Sequence, residues 1–174
     1  MNVTITPLRR DLLIGYLAVA AVAAHMLEAT LPGLGPWFKP GLANVFTVVA
    51  FYHLDRSAAI WVAVIRVLGG SLAMGVFLTP TFFLSSAGML AAVLVMLILG
   101  GRIPGMGPVG LSILMALAHM SAQVGAAHLL FIQHTGLFTL LPWFLIGAWL
   151  TGWINGVLAH GLLEHLNRHR IETS

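Results

Sequence analysis

Six apolar runs follow one another along the chain, several of them parted by Pro- and Gly-rich breaks, and this succession points to a bundle of membrane-spanning helices. A helix needs about 20 apolar residues to cross a bilayer, and fewer where protein covers its ends. The runs cover residues 11–31, 41–54, 57–78, 82–99, 109–132 and 138–163, the second being short. The breaks include Leu31-Pro-Gly-Leu-Gly-Pro36, Thr79-Pro-Thr81 and Gly100-Gly-Arg-Ile-Pro-Gly-Met-Gly-Pro108. Hydrophobic residues make up 59% of the 174 and charged residues only 7%, where soluble domains have about a quarter charged. No length remains for a soluble domain, and no internal repeat is evident. The expected fold is all-α: one polytopic membrane domain, residues 1–174, with six transmembrane helices.

Charge asymmetry sets the expected orientation. Arg9, Arg10, Arg56, Arg102, Arg168 and Arg170 fall on one side of the alternating spans, and Lys39 alone on the other. Positive residues favour the cytoplasm, so both termini are expected inside. Arg9-Arg10 ahead of an apolar run also fits a cleaved export signal. Cleavage would leave five spans and break the charge alternation, which favours a retained first helix. The sequence pI of about 10.2 reflects these edge arginines and is no sign of a nucleic-acid surface. The absence of cysteine removes disulfides, Fe–S clusters and thiolate metal sites.

Arg66 lies well inside the apolar run from Ala58 to Leu78. A charge near the centre of a membrane helix costs at least about 2.5 kcal/mol, so it calls for a partner or a watery cavity. On the first span His25 and Glu28 share a face. Glu28 either snorkels to the nearby membrane edge or pairs with Arg66 or Lys39. On the fifth span Ser112, Ala116, His119 and Gln123 follow a four-three-four spacing that places them on one helix face. His119 and Gln123 serve there either as interhelical glue or as ligand contacts. His128 is half a turn out of phase and faces elsewhere.

Lys39-Pro-Gly-Leu-Ala-Asn44 opens the short second span. A helix start beside a lysine suits an anionic group. Small residues recur four apart at Ala20 and Ala24, and again at Gly152 and Gly156 with Ala148 and Ala159 nearby. Such spacing permits close approach, either within the chain or to a second membrane subunit. Asn155 beside that stripe reads as structural. His160, Glu164, His165, Arg168, His169 and Arg170 end the last span as a solvated basic face, and no metal site or cofactor is expected.

Several of these residues carry a family pattern. His25-Met-Leu-Glu28, Pro32, Lys39-Pro-Gly-Leu-Ala-Asn44, Arg66-Val-Leu-Gly-Gly70, Ser86-Ala-Gly88 and Ser112 through Ala118-His-Met-Ser-Ala-Gln123 resemble the Gx transporter family of bacterial membrane proteins, also called heptaprenyl diphosphate synthase component I. Met120-Ser-Ala122 departs from the Asn, apolar residue and Gly of that pattern. The family is similar in turn to the S components of energy-coupling-factor (ECF) transporters. That likeness implies a substrate-binding subunit of the bacterial inner membrane, working with separate scaffold and ATPase chains. It implies ligand contacts at His25, Glu28, Lys39, Asn44, Arg66, His119 and Gln123, and docking of the coupling subunit at Ala20 and Ala24. Prenyl chain elongation, by contrast, needs clustered carboxylates that hold magnesium against a diphosphate. Asp11 and Asp55, the only aspartates, both lie at the membrane edge, so catalysis by this chain alone is not expected. The alternative is a non-catalytic membrane subunit of an isoprenoid- or quinone-related enzyme or redox complex. The eight histidines leave a histidine-bound haem or metal as a third reading.

Overall fold

The computed structural model describes residues 6–30 and 41–172. Six α-helices make up almost all of it: α1 (Pro7–Thr30), α2 (Ala43–His53), α3 (Arg56–Ala73), α4 (Pro80–Leu99), α5 (Pro108–Leu130) and α6 (Leu141–Glu172). A 3₁₀ turn at Thr135–Leu140 leads into α6. Five helices are long and apolar enough to cross a membrane. The 11-residue α2 is only roughly 16 Å long at 1.5 Å per residue, about half the hydrocarbon depth. The chain is an all-helical, multi-pass membrane protein.

Local chemistry sets the helix ends. α4 and α5 each begin on a proline in the first turn, where its missing N–H costs nothing. α3 starts at Asp55, whose carboxylate accepts the Ala58 N–H at 2.9 Å. It stops at Ala73, short of the expected Leu78, because Gly75 takes a left-handed φ of 66° and the Val76 N–H turns back to the Ser71 carbonyl at 2.9 Å. α6 runs past the expected end at residue 163 to Glu172. Beyond that run Leu166 still packs against the core.

α1 packs on α2 and α3, α3 on α4, α4 on α5, and α5 on α6. The short α2 closes this ring by touching α1, α3, α5 and α6. Val45, Thr47, Val48, Val49 and Ala50 are accordingly all buried. The interior is built from small side chains: Ala18, Ala21, Ala58, Ala59 and Ala63 are at most 1% exposed. Leu90, Leu94 and Ile98 of α4 and Trp143, Trp149 and Trp153 of α6 face outward. Apolar side chains gain little by leaving lipid, so helix association depends on close approach.

The small stripe on α6 provides the closest approach. A Cβ on Gly156 would lie 2.5 Å from Val109 Cα, and one on Gly152 would lie 2.8 Å from Ile113 Cα. Of the two readings left open above, packing within the chain, against α5, is the one observed for this stripe. Ala20 and Ala24 are half-buried on α1.

One end of the bundle is tied by arginines. Arg10 donates to both oxygens of Asp55, Nε to Oδ2 at 2.8 Å and one terminal nitrogen to Oδ1 at 3.0 Å. This joins α1 to the α2–α3 turn. Arg56 donates to the Gly100 carbonyl at 3.1 Å, and Arg102 donates to the carbonyls of Leu97 and Ile98. These are last-turn carbonyls of α4 that helix geometry leaves without partners. The Tyr52 hydroxyl reaches Met106 O at 3.0 Å.

Two tests follow. Gly156→Ala sets a methyl group against α5 backbone, and is expected to destabilise by about 1–3 kcal/mol in detergent melting. Arg10 holds the Asp55 carboxyl below its ordinary range. The stability from a depressed carboxyl is complete above the unfolded value and is lost as pH falls through the folded one. Asp55→Ala is expected to cost about 1 kcal/mol through the lost helix cap. That deficit should be constant at neutral pH and should shrink only below pH 3.8.

Candidate functional site

Arg66 and Glu28 are the buried charged side chains among the described residues, 5% and 6% exposed. The carboxylate of Glu28, near the end of α1, is within electrostatic reach of the Arg66 guanidinium on α3. Arg66 and His25 are in turn within reach of the His119 imidazole on α5. Four of the expected site residues therefore form one cluster across three helices. The three-residue spacing of His25 and Glu28 puts both on one face of α1, which packs on α3.

Two glycines seat the imidazoles. A Cβ on Gly70 of α3 would lie 2.7 Å from Cδ2 of His25. A Cβ on Gly88 of α4 would lie 2.6 Å from Nε2 of His119, and His119 hydrogen-bonds the Gly88 backbone. Glycine inside a helix costs about 1 kcal/mol against alanine, and here its missing side chain is the space the rings occupy. Gly70 follows Arg66 by four residues, so both lie on one face of α3.

A second polar group adjoins the first at the start of α2. Glu28 accepts the backbone N–H of Leu42. On the same turn the Asn155 side chain, from α6, donates to the Gly41 carbonyl at 3.0 Å. Gly41 has a φ of 67°, and a Cβ there would lie 3.3 Å from the amide nitrogens of both Asn155 and Asn44. Asn44 thus neighbours Asn155, and the Glu28–Leu42 bond links this turn to Arg66. Gln123 lies one turn beyond His119, half-buried, and the contacts that join the cluster run through His119. Lys39 lies outside the described residues.

Arg66 Nε, His119 Nδ1 and Thr47 Oγ1 are buried with no hydrogen-bond partner among the described residues. Leaving such a group unmet costs about 1–3 kcal/mol. The arrangement can therefore take a polar guest. Among the described residues no three His, Asp or Glu side chains are grouped to hold a metal ion. His128 stacks near Phe138 with ring centroids 4.8 Å apart, away from the cluster. His134 accepts the Gly136 N–H at 3.0 Å, and His160 lies 3.5 Å from Glu164 on an exposed part of α6.

Gly70, Gly88, Gly41 and the Leu42 N–H were not singled out as site groups from the sequence. The signal for the first two was available, since a glycine within a long apolar helix marks a close approach. No side-chain pattern announces a backbone N–H as a partner.

The chain belongs to the heptaprenyl diphosphate synthase component I family, whose model matches residues 17–162. That range takes in every residue of the cluster. No curated protein and no solved structure gives a match.

Gly88→Ala is expected to displace His119 and lower stability by about 1–3 kcal/mol. Gly125→Ala, where an added Cβ meets nothing within 4 Å, should be neutral or stabilising by up to about 1 kcal/mol. Equal melting temperatures for the two variants would contradict the glycine seat.

Proposed function

We propose that this family member is the substrate-binding membrane subunit of an uptake system for a small polar or anionic molecule. The observation that carries the reading is that Arg66, a buried guanidinium, and His119 each keep a buried nitrogen, Nε and Nδ1, without a hydrogen-bond partner among the described residues. A purely structural ion pair gains from having all its hydrogen bonds satisfied, and among the described residues these atoms have no partner. Arg66 and Lys39 supply positive charge, and His25, Glu28, Asn44, His119 and Gln123 supply hydrogen bonds. Ala20 and Ala24 are the docking face for a coupling subunit, as in ECF S components, with separate scaffold and ATPase chains. The protein sits in the bacterial inner membrane with both termini in the cytoplasm. It is not catalytic by itself, since a diphosphate–magnesium centre calls for clustered carboxylates and Glu28 stands alone in the cluster.

The family description supports a second reading, a non-catalytic membrane subunit of an isoprenoid- or quinone-related enzyme or redox complex. Affinity purification from the native membrane separates the two. ATPase and scaffold chains are expected under the first, and a prenyl synthase or flavoprotein under the second.

Mass spectrometry of the purified protein is expected to find a co-isolated solute. Its occupancy should fall at least tenfold in Arg66→Ala, scored only in protein that still melts cooperatively, because the variant leaves Glu28 uncompensated at a cost of about 3–5 kcal/mol. Unchanged occupancy in Arg66→Ala and in Gln123→Ala would sink the site assignment.

A further inference from the structure

The 3₁₀ turn at Thr135–Leu140, which joins α5 to α6, is capped by an imidazole. His134 precedes the turn, and its Nδ1 accepts the Gly136 N–H at 3.0 Å. Gly136 is the second residue of the turn, where a capping serine, threonine, aspartate or asparagine oxygen usually receives an N–H. A Cβ on Gly136 would lie 2.8 Å from Nδ1, so the ring uses space that glycine leaves. The His134 carbonyl also takes the Leu137 N–H at 3.2 Å.

An imidazole differs from the usual caps in one respect. Hydroxyl, amide and carboxylate oxygens keep their lone pairs at every pH above about 4. A histidine nitrogen loses its lone pair when it takes a proton, and histidine does so in the physiological range. Because the donor here is a backbone N–H, Nδ1 is the bare nitrogen of a neutral ring whose hydrogen sits on Nε2. The bond therefore exists on the alkaline side, and acid removes it. A protonated Nδ1 turns its own N–H against that of Gly136.

Little else near the turn titrates. Among the described elements it packs on α5 and α6. From residue 120 to residue 159 the chain has no Asp, Glu, Lys, Arg, Tyr or Cys, and its histidines are His128 and His134. His128, on α5, meets the turn through Phe138, with ring centroids 4.8 Å apart. α6 brings no titratable side chain before His160. Of the two histidines, His134 is the one bonded to the turn's backbone.

We propose that His134 is an acid-released latch: unprotonated, it holds the 3₁₀ turn wound at the entry to α6, and protonation frees the turn. In the orientation proposed above this connection faces away from the cytoplasm, so the latch reads the pH on that side. The latch itself depends neither on that orientation nor on a bound solute.

The chain has no cysteine, so Thr139→Cys, at an exposed position of the turn, gives a single site for a nitroxide label. Electron paramagnetic resonance of the labelled full-length protein in detergent then reads the turn's mobility. The ratio of mobile to immobile label is expected to rise reversibly by about fivefold between about pH 8 and about pH 5, the worth of one capping bond. In His134→Asn, whose amide oxygen does not titrate, the rise should be absent. In His128→Gln it should remain. A rise that wild type never shows, that survives in His134→Asn, or that disappears in His128→Gln would overturn the latch. If His128→Gln does not melt cooperatively, wild type against His134→Asn decides alone.

Discussion

A guanidinium held inside an apolar bundle needs charge and hydrogen bonds supplied from several directions, and much of this fold is arranged around that need. Arg66 lies on α3, its counter-charge on α1 and its imidazole neighbour on α5. In hydrocarbon each unmet polar group costs more than at a wet surface, so the three helices are bound by a requirement that no one of them meets alone. Glu28 extends the arrangement to a fourth helix by taking the Leu42 N–H. Asn155 extends it to α6 through Gly41.

The short α2 makes this possible. A full-length helix in its place would carry its first-turn N–H groups out to the membrane surface. Here the Leu42 N–H at its start meets the Glu28 carboxylate, and irregular backbone is tolerated where it faces side chains rather than lipid. α2 touches four other helices, and its start brings the Glu28–Arg66 group and the Asn155–Asn44 group together. Glycine at positions 70 and 88 lets the histidines enter the same region without pushing the helices apart. The small interior and the polar cluster are therefore one construction.

Much of this was legible in the sequence. The six helices followed from apolar run length; helical phase put His25 beside Glu28 and His119 beside Gln123, and the rarity of charge singled out Arg66, with Glu28 as one candidate partner. What escaped was geometry that no side-chain pattern records. The end of α3 at Ala73 rests on left-handed Gly75, and in the turn that follows Leu78 adopts a similar angle without advertising it. Beyond residue 163 of α6, Leu166 packs against the core from among polar neighbours. The α5–α6 stripe was visible as small residues, yet only the lack of room for a Cβ on Gly156, which would lie 2.5 Å from Val109 Cα, decides that it packs inward. Gln123 shares a face with His119, but helical phase fixes a direction and not a contact.

The two ends of the bundle are held by different chemistry. At one end a two-pronged ion pair, three arginine–carbonyl bonds and a tyrosine bond tie α1, α3, α4 and their turns together. At the other, the start of α2 is joined to its neighbours through Glu28 to Leu42 and Asn155 to Gly41. Local opening has to break such bonds together, so at the arginine-tied end α4 cannot unwind its last turn without also releasing the start of α3.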